Sequence, residues 1–197
     1  MPDNDTLKFY ADNAADYIQH ANAPTPQLTA FLARLPEGGA VLELGTGNGR
    51  DAAAMLAAGF AVTPSDASPE LAAQAAARLG HPVRILAFDE LDDVALYDGV
   101  WACAALLHAP RAELTGDFAR IFRALRPGGL LWASFKAGTG EGRDQFGRYY
   151  NYLDAAQLRE HLRASADWTG IAISENAGSG YDGLPTRWLW LQAQRAS

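Results

Sequence analysis

The chain contains few of the residues and patterns that mark several large protein classes. Cys103 is the single cysteine among 197 residues, so no intrachain disulfide can form, which fits a reducing compartment. There is no run of Lys or Arg, and 16 basic against 23 acidic residues give a formal charge of −7, a poor match to a phosphate backbone. No uncharged apolar run approaches the roughly 20 residues of a membrane span. We therefore expect neither a nucleic-acid partner nor a membrane segment.

Other missing patterns narrow the function further. The first ten residues, MPDNDTLKFY, have no basic region followed by an apolar stretch, so we expect no signal peptide and a cytoplasmic location. No Cys/His pair has the spacing of zinc ligands, and we expect no metal site. The pattern GxxxxGK[ST] is also missing, which argues against a P-loop nucleotide hydrolase.

Hydrophobic periodicity predicts helices and strands in alternation. A first helix is expected at 5–20, and a second after a Thr25 N-cap, with an apolar stripe formed by Leu28, Phe31, Leu32 and Leu35. Further helices are expected at 50–58, 69–79, 112–125 and 155–164. Strands are expected at 40–44, 60–65, 82–87, 98–103 and 130–135, and near 168–174 and 188–193.

This alternation indicates one α/β domain, 1–197, with a doubly wound, seven-stranded, mostly parallel sheet. The last two strands have no helix between them, so we expect them to pair antiparallel at one edge. In such sheets, ligands bind beyond the C-terminal ends of the strands. Pro64 is anomalous, because it falls in a strand that should be internal and cannot donate a ladder hydrogen bond.

The stretch VLELGTGNGRDAAAML, residues 41–56, is the clearest functional signal. Gly45, Gly47 and Gly49 follow a strand and precede a helix, so a ligand can lie against bare backbone near a positive helix end. Asp66 ends the next strand, 19 residues beyond Gly47, where a carboxylate can accept hydrogen bonds from both ribose hydroxyls. Together these features predict a nucleoside-containing cofactor.

The residues around the glycines favour an amino acid linked to a nucleoside. A dinucleotide fingerprint, GxGxxG, would place its third glycine at position 50, which is Arg50. The Arg50 guanidinium suits a carboxylate, and Glu43 suits an ammonium group. The alternative, an NAD(P)-dependent oxidoreductase, would use Asp66 in the same way and is disfavoured by Arg50.

Five motifs in order make the chain resemble the class I S-adenosylmethionine-dependent methyltransferases, in particular the small bacterial type 11/12 and tellurite-resistance-like groups. The stretches that resemble the family, between about 38 and 136, are VLELGTGNGRDA, TPSDASPELAAQAA, ILAFDELD, YDGVWACAALLHAP and ALRPGGLLWASFK. One departure is Thr46, where the family often has Cys or Ala. The resemblance implies the strand order 3-2-1-4-5-7-6 and S-adenosylmethionine as cofactor.

The resemblance also implies roles for individual residues. Asp66 would bind the ribose, Phe88 and Asp89 would flank the adenine, and the N–H of Glu90 or Leu91 would serve adenine N1. Residues 1–37 would form a helical cap over the cofactor. The cofactor-binding set is then Tyr10, Glu43, Gly45, Thr46, Gly47, Arg50, Asp66, Ala67, Phe88, Asp89, Glu90, Leu91 and Cys103.

Several residues near the expected site have two interpretations. His108 is either a general base facing the methyl group or a loop or capping histidine. Cys103 is better explained as a small buried residue than as a nucleophile. The segments 136–152 and 176–187 are either mobile surface loops or substrate lids, the first with Arg143, Arg148, Tyr149 and Tyr150 selecting the acceptor. We expect a small-molecule methyl acceptor; the sequence leaves open a non-catalytic cofactor-binding protein and does not indicate an oligomeric state.

Overall fold

The computed structural model describes residues 3–19 and 23–197 and contains two sheets. The nine strands are β1 Ala40–Leu44, β2 Ala61–Asp66, β3 Arg84–Ile85, β4 Tyr97–Ala102, β5 Leu125–Lys136, β6 Gly140–Arg143, β7 Tyr149–Tyr152, β8 Trp168–Ser179 and β9 Pro185–Arg195. The main sheet has the order β3-β2-β1-β4-β5-β9-β8, and β6 and β7 form a separate two-stranded sheet. When this inserted hairpin is set aside, the order is the predicted 3-2-1-4-5-7-6. The pairs β5–β9 and β8–β9 are antiparallel, which confirms the reversed edge.

Within the described residues, seven α-helices accompany the strands. They are α1 Asn4–Asp12, α2 Ala14–Tyr17, α3 Leu28–Leu32, α4 Arg50–Ala57, α5 Pro69–Leu79, α6 Arg111–Ala124 and α7 Ala155–Ser165. Side-chain caps begin α5 and α7, since Ser68 accepts from the Leu71 N–H and Asp154 exchanges hydrogen bonds with Gln157. No helix in the described part of the chain combines the length and hydropathy that a membrane-crossing segment needs.

The N-terminal region differs from its prediction in two places. The expected helix 5–20 is interrupted at Asn13, whose side-chain amide donates to the Phe9 carbonyl and competes with the helical pattern, and its last residue lies outside the described residues. Thr25 is not an N-cap. Its N–H and its hydroxyl both donate to Asp51, each at 2.7 Å, and α3 begins at Leu28. Asp51 also accepts from Trp101 Nε1 at 3.0 Å, so a buried carboxylate with three donors ties this segment to the sheet.

The third strand is shorter than predicted, and this explains Pro64. Instead of 82–87, β3 has only two residues, which pair with Ser65 and Asp66. The Ala61 N–H donates to the carbonyl of Gly39, the residue just before β1, and the Leu86 N–H donates to the Asp66 carbonyl, so even-numbered residues of β2 face β3. The Pro64 nitrogen therefore points to the side where β3 has not yet begun, and no ladder hydrogen bond is lost.

Both faces of the main sheet are covered. On one face, Trp101 and Trp132 pack against Phe31 of α3 and Met55 of α4. On the other face, Val100 and its neighbours belong to a cluster that includes α6 and α7. The central strands are therefore apolar at nearly every position, as expected of doubly covered strands.

Candidate functional site

A cavity of about 290 Å³ lies at the C-terminal ends of β1, β4 and β5, and a smaller one of about 90 Å³ adjoins it. The residues that line both are Tyr10, Tyr17, Gly45, Gly47, Cys103, Ala104 and His108. The first extends towards β5, β7 and the β8–β9 loop, and the second towards the end of β2. The two cavities meet at the glycine turn, where the topology of the sheet predicts a ligand.

The backbone of the glycine turn requires glycine. Gly45, Gly47 and Gly49 all have positive φ, at 70°, 55° and 75°. A Cβ on Gly45 would lie 2.7 Å from the Ala105 Cβ, and a Cβ on Gly47 would lie 3.1 Å from Tyr17 Cε1. The bare turn is thus packed between the loop after β4 and Tyr17 of α2, and it borders both cavities.

Asp66 lies beside this turn and borders the smaller cavity, together with Ala67 and Phe88. Its carboxylate accepts from the Gly47 and Ser68 N–H groups, both at 3.0 Å. Burial raises the pKa of Asp66, while these backbone hydrogen bonds oppose the shift. The carboxylate is therefore fixed in orientation at the position predicted for the ribose.

Glu43 is a buried acid on the floor of the larger cavity. Its Oε2 accepts from the Thr46 hydroxyl at 2.5 Å. Burial raises the pKa of Glu43 to about 8, the Thr46 hydrogen bond opposes this shift, and Asp51 and Asp66 add to it. The carboxyl is therefore largely protonated at neutral pH, and a ligand ammonium group would favour its ionised form.

Arg50 and Cys103 line the same cavity. Arg50 donates to the Thr25 hydroxyl at 3.2 Å, and its Nε lies 3.8 Å from Asp51 Oδ1. The Cys103 sulfur lies 3.6 Å from Thr25 Oγ1, and burial raises the pKa of Cys103 to about 11. Cys103 therefore stays a thiol at neutral pH, which agrees with a packing role.

His108 lies on the cavity wall between α1 and the inserted hairpin. Its Nδ1 is 2.6 Å from the Tyr149 carbonyl, which can only accept, so Nδ1 carries the proton. Its Nε2 then accepts from the Tyr10 hydroxyl at 2.9 Å. Burial lowers the pKa of His108 to about 4, so the ring is neutral at pH 7 and its basic nitrogen, Nε2, faces the Tyr10 hydroxyl.

The segment 136–152, for which a loop or a lid was equally expected, forms the β6–β7 hairpin. Of its four candidate residues, Arg148 and Tyr150 line the cavity, whereas Arg143 pairs with Asp3 at 2.6 Å and the Tyr149 hydroxyl bonds to Glu141. Arg148 is buried and donates to Asp144 through Nε and Nη2, at 2.9 and 2.7 Å. Aromatic rings surround its guanidinium at 4.9–5.8 Å: Phe9, Tyr10, Phe146, Tyr150 and Tyr181.

Three of the expected adenine neighbours do not line either cavity. Asp89, Glu90 and Leu91 lie in or just after a 3-10 turn at Phe88–Glu90. The N–H of Glu90 donates to the Ala87 carbonyl at 3.1 Å, and the N–H of Leu91 donates to the Phe88 carbonyl at 3.4 Å. Both predicted donors for adenine N1 are thus engaged within the turn, and the Leu91 side chain is in the core.

Sequence reasoning missed Lys136, Tyr181 and Trp188, which line the larger cavity. Lys136 ends β5, and its signal was a single charged residue at the end of the apolar run LLWASFK. Tyr181 and Trp188 come from the loop and strand that follow β8. Their position depends on how the edge of the sheet folds back over the strand ends, which no local pattern indicates.

Comparison with known proteins agrees with this geometry. Residues 41–129 match a family model described as a methyltransferase domain, and this range runs from β1 into β5. A comparison with curated protein sequences gave no match. Among solved structures, the chain is similar to the 1,6-didemethyltoxoflavin-N1-methyltransferase of Burkholderia thailandensis, crystallised with 1,6-didemethyltoxoflavin and S-adenosylhomocysteine. The TM-score is 0.76 at 26% identity, over 98% of this chain and 86% of that one.

Two further structures share the fold at lower identity. An S-adenosylmethionine-dependent methyltransferase from Methanosarcina mazei has a TM-score of 0.75 at 16% identity, over 88% of this chain and 99% of that one. Phosphoethanolamine N-methyltransferase 2 of Haemonchus contortus, in complex with phosphomonomethylethanolamine and S-adenosylhomocysteine, has a TM-score of 0.72 at 17% identity, over 99% of this chain and 59% of that one.

Proposed function

We propose that this chain, a class I S-adenosylmethionine-dependent methyltransferase, methylates a small molecule held in the larger cavity. The observation that carries the proposal is the position of Glu43, the glycine turn and Asp66 around two joined cavities. The cavities open between the strand ends and a cap built from the chain's own N-terminal and hairpin segments. This enclosure favours a small acceptor over a macromolecule.

The residues present fit the cofactor at both of its ends. We assign the adenosyl group to the smaller cavity, where Asp66 would accept from the ribose hydroxyls and Phe88 would contact the adenine. We assign the amino-acid part to the larger cavity, where Glu43 would face the ammonium group and Arg50 the carboxylate. A Cβ on Gly45 or Gly47 would intrude on its packing neighbours, so the turn is built to stay bare.

When bound, S-adenosylmethionine supplies a sulfonium methyl group, to which the acceptor's lone pair bonds as the carbon–sulfur bond breaks and its electron pair stays on sulfur. The chain's contribution is to align the acceptor with that bond and to exclude water. The cap does this through contacts between distant segments, such as the Tyr149 N–H on the Thr6 hydroxyl at 2.8 Å. We propose that the region before residue 38 acts as this cap.

We propose that His108 takes the proton that the acceptor loses. Its Nε2 is unprotonated and already accepts a hydrogen bond from the Tyr10 hydroxyl. An acceptor O–H or N–H that displaces Tyr10 would occupy the same position. A pKa of about 4 makes His108 a weak base, so its contribution is modest.

Replacing His108 with asparagine is expected to lower kcat about tenfold at pH 7, below the gain typical of a well-matched base. Asparagine can still donate to the Tyr149 carbonyl, so the hairpin keeps its anchor while the basic nitrogen is lost. The deficit should shrink as pH rises and the acceptor ionises without help. Tyr10→Phe is the control, because it frees Nε2 and leaves the base in place; a His108→Asn enzyme with unchanged kcat at every pH would assign His108 a structural role.

The proposed function is tested by calorimetric titration of the protein with S-adenosylmethionine, S-adenosylhomocysteine and NADH. We expect micromolar binding of the two adenosyl ligands and none of NADH. Methyl transfer is then measured as S-adenosylhomocysteine formed with a panel of small O-, N- and S-nucleophiles. Binding of NADH alone would replace this proposal with a dehydrogenase, and adenosyl binding without turnover on the panel would favour a non-catalytic binding protein.

A further inference from the structure

Lys136 is a buried cation that lines the cavity at the end of β5. The residue is 8% exposed, and its Nζ lies 4.1 Å from the centroid of the Tyr150 ring. Within the described residues, Nζ has neither a hydrogen-bond partner nor an ion pair. Burial lowers the pKa of Lys136, and the more distant Asp182 opposes this shift. Asp182 lies near the ammonium group without forming an ion pair, since its Oδ1 and Lys136 Nζ are 2.7 and 3.2 Å from the position of a Cβ on Gly180. A largely buried ammonium group without a close ion pair is costly, so its position requires an explanation.

The two arginines of the hairpin, unlike Lys136, have ion-pair partners. Arg148 is neutralised by Asp144 at 2.7 Å, and Arg143 by Asp3 at 2.6 Å. Their charges are used to hold the hairpin and the N-terminal helix together. A negative charge on the acceptor is therefore better matched by Lys136 than by these two arginines.

The walls next to Lys136 are flat and aromatic. Tyr150 lies under its ammonium group, and the ring of Tyr150 is 4.6 Å from that of His108. Tyr181 stacks on Tyr17 with ring centroids 5.4 Å apart and an interplanar angle of 20°. Trp188, the β9 residue paired with Lys136, completes this side of the cavity. Such faces favour a planar ring over an aliphatic chain.

We propose that the acceptor is a small aromatic or heteroaromatic anion, whose negatively charged oxygen pairs with Lys136 while its ring lies among Tyr17, Tyr150 and Tyr181. This inference rests on the proposed function and specifies its substrate class. Pairing with a carboxylate or ring oxyanion gives the Lys136 ammonium a close ion pair, which Asp182 does not form with it in the described residues. The charge at one end and the aromatic walls along the ring orient the acceptor for methyl transfer.

The test measures dissociation constants on protein saturated with S-adenosylhomocysteine. The probes are 4-hydroxybenzoate and 2-naphthoate, their neutral amides 4-hydroxybenzamide and 2-naphthamide, and cyclohexanecarboxylate as a non-planar anion. We expect at least one aromatic anion to bind about tenfold tighter than its amide and than cyclohexanecarboxylate. Lys136→Met, which keeps the length of the side chain, should remove the preference for the anion. S-adenosylhomocysteine should bind this variant as it binds the original chain.

Lys8→Met is the matched control, since Lys8 is the only other lysine and its side chain is 72% exposed on α1, paired with Asp12. It should keep the preference for the anion. Equal binding of acids and amides, or no binding of any aromatic anion at about 10 mM, would overturn the inference while leaving cofactor binding intact. A roughly tenfold loss of S-adenosylhomocysteine affinity in Lys136→Met would assign Lys136 to the cofactor carboxylate instead. Failure of the original chain to bind S-adenosylhomocysteine would refute the proposed function itself.

Discussion

Replacing Asp66 with alanine is expected to raise the Kd for S-adenosylhomocysteine about a hundredfold, because a charged acceptor contributes roughly 1.5 kcal/mol or more to each of two ribose hydrogen bonds. The carboxylate already has its orientation fixed by the Gly47 and Ser68 N–H groups, so little freedom is lost when the ribose binds. Calorimetric titration at constant pH measures the change directly.

Two controls separate recognition of the ribose from damage to the turn. Asp66→Asn keeps an oxygen for only one of the Gly47 and Ser68 N–H groups, so it should lower the melting temperature slightly, by less than Asp66→Ala, and still weaken binding. Asp92→Ala removes an exposed carboxylate of the next loop, 83% accessible, and should leave the Kd unchanged. The original chain should also prefer adenosine over 2′-deoxyadenosine, and Asp66→Ala should lose that preference. An Asp66→Ala protein with the original affinity would contradict the assignment of the ribose.

The strands of the main sheet were predictable from local signals, whereas their order was implied by the resemblance to the methyltransferase family. Strands that alternate with helices favour parallel pairing, and the missing helix between the last two strands indicated the antiparallel edge. The strand ends then place Glu43, Gly45 and Asp66 together without further information. Ten of the thirteen residues expected to bind the cofactor line one of the two cavities.

The inserted hairpin was not predictable, because its conformation depends on contacts with residues that are far away in the sequence. The glycine-rich stretch of β6 has no apolar alternation, and its strand is held by Arg111, which donates to the Gly140 and Tyr152 carbonyls. The hydrogen bond of Tyr10 to His108 joins residues 98 positions apart. The surroundings of Lys136 and Arg148 depend on these folded-back segments. The sequence therefore indicated Glu43, Asp66 and the glycine turn, but it did not indicate Lys136.

Cofactor affinity is expected to rise about tenfold per pH unit between pH 6 and 7, and to level off near pH 8, because Glu43 must ionise to face the ligand ammonium group. Binding at pH 7 should release close to one proton, which calorimetry in buffers of different ionisation enthalpy counts. Adenosine, which has no ammonium group, should show neither effect. Adenosine therefore distinguishes a pH dependence caused by Glu43 from one caused by Asp66. Burial also raises the pKa of Asp66.

Glu43→Gln should abolish the pH dependence and weaken S-adenosylhomocysteine binding at pH 8, yet stabilise the free protein. Burial raises the pKa of Glu43 from 4.5 in the unfolded chain to about 8 in the folded one. Between these values the folded state binds more protons than the unfolded state, so its stability falls as pH rises. The variant lacks this penalty, and its free energy of unfolding at pH 8 should exceed that of the original chain by more than about 1 kcal/mol, with a smaller difference at pH 5. If the two proteins unfold with the same pH dependence, Glu43 is ionised in the free enzyme and the linkage to cofactor binding does not exist.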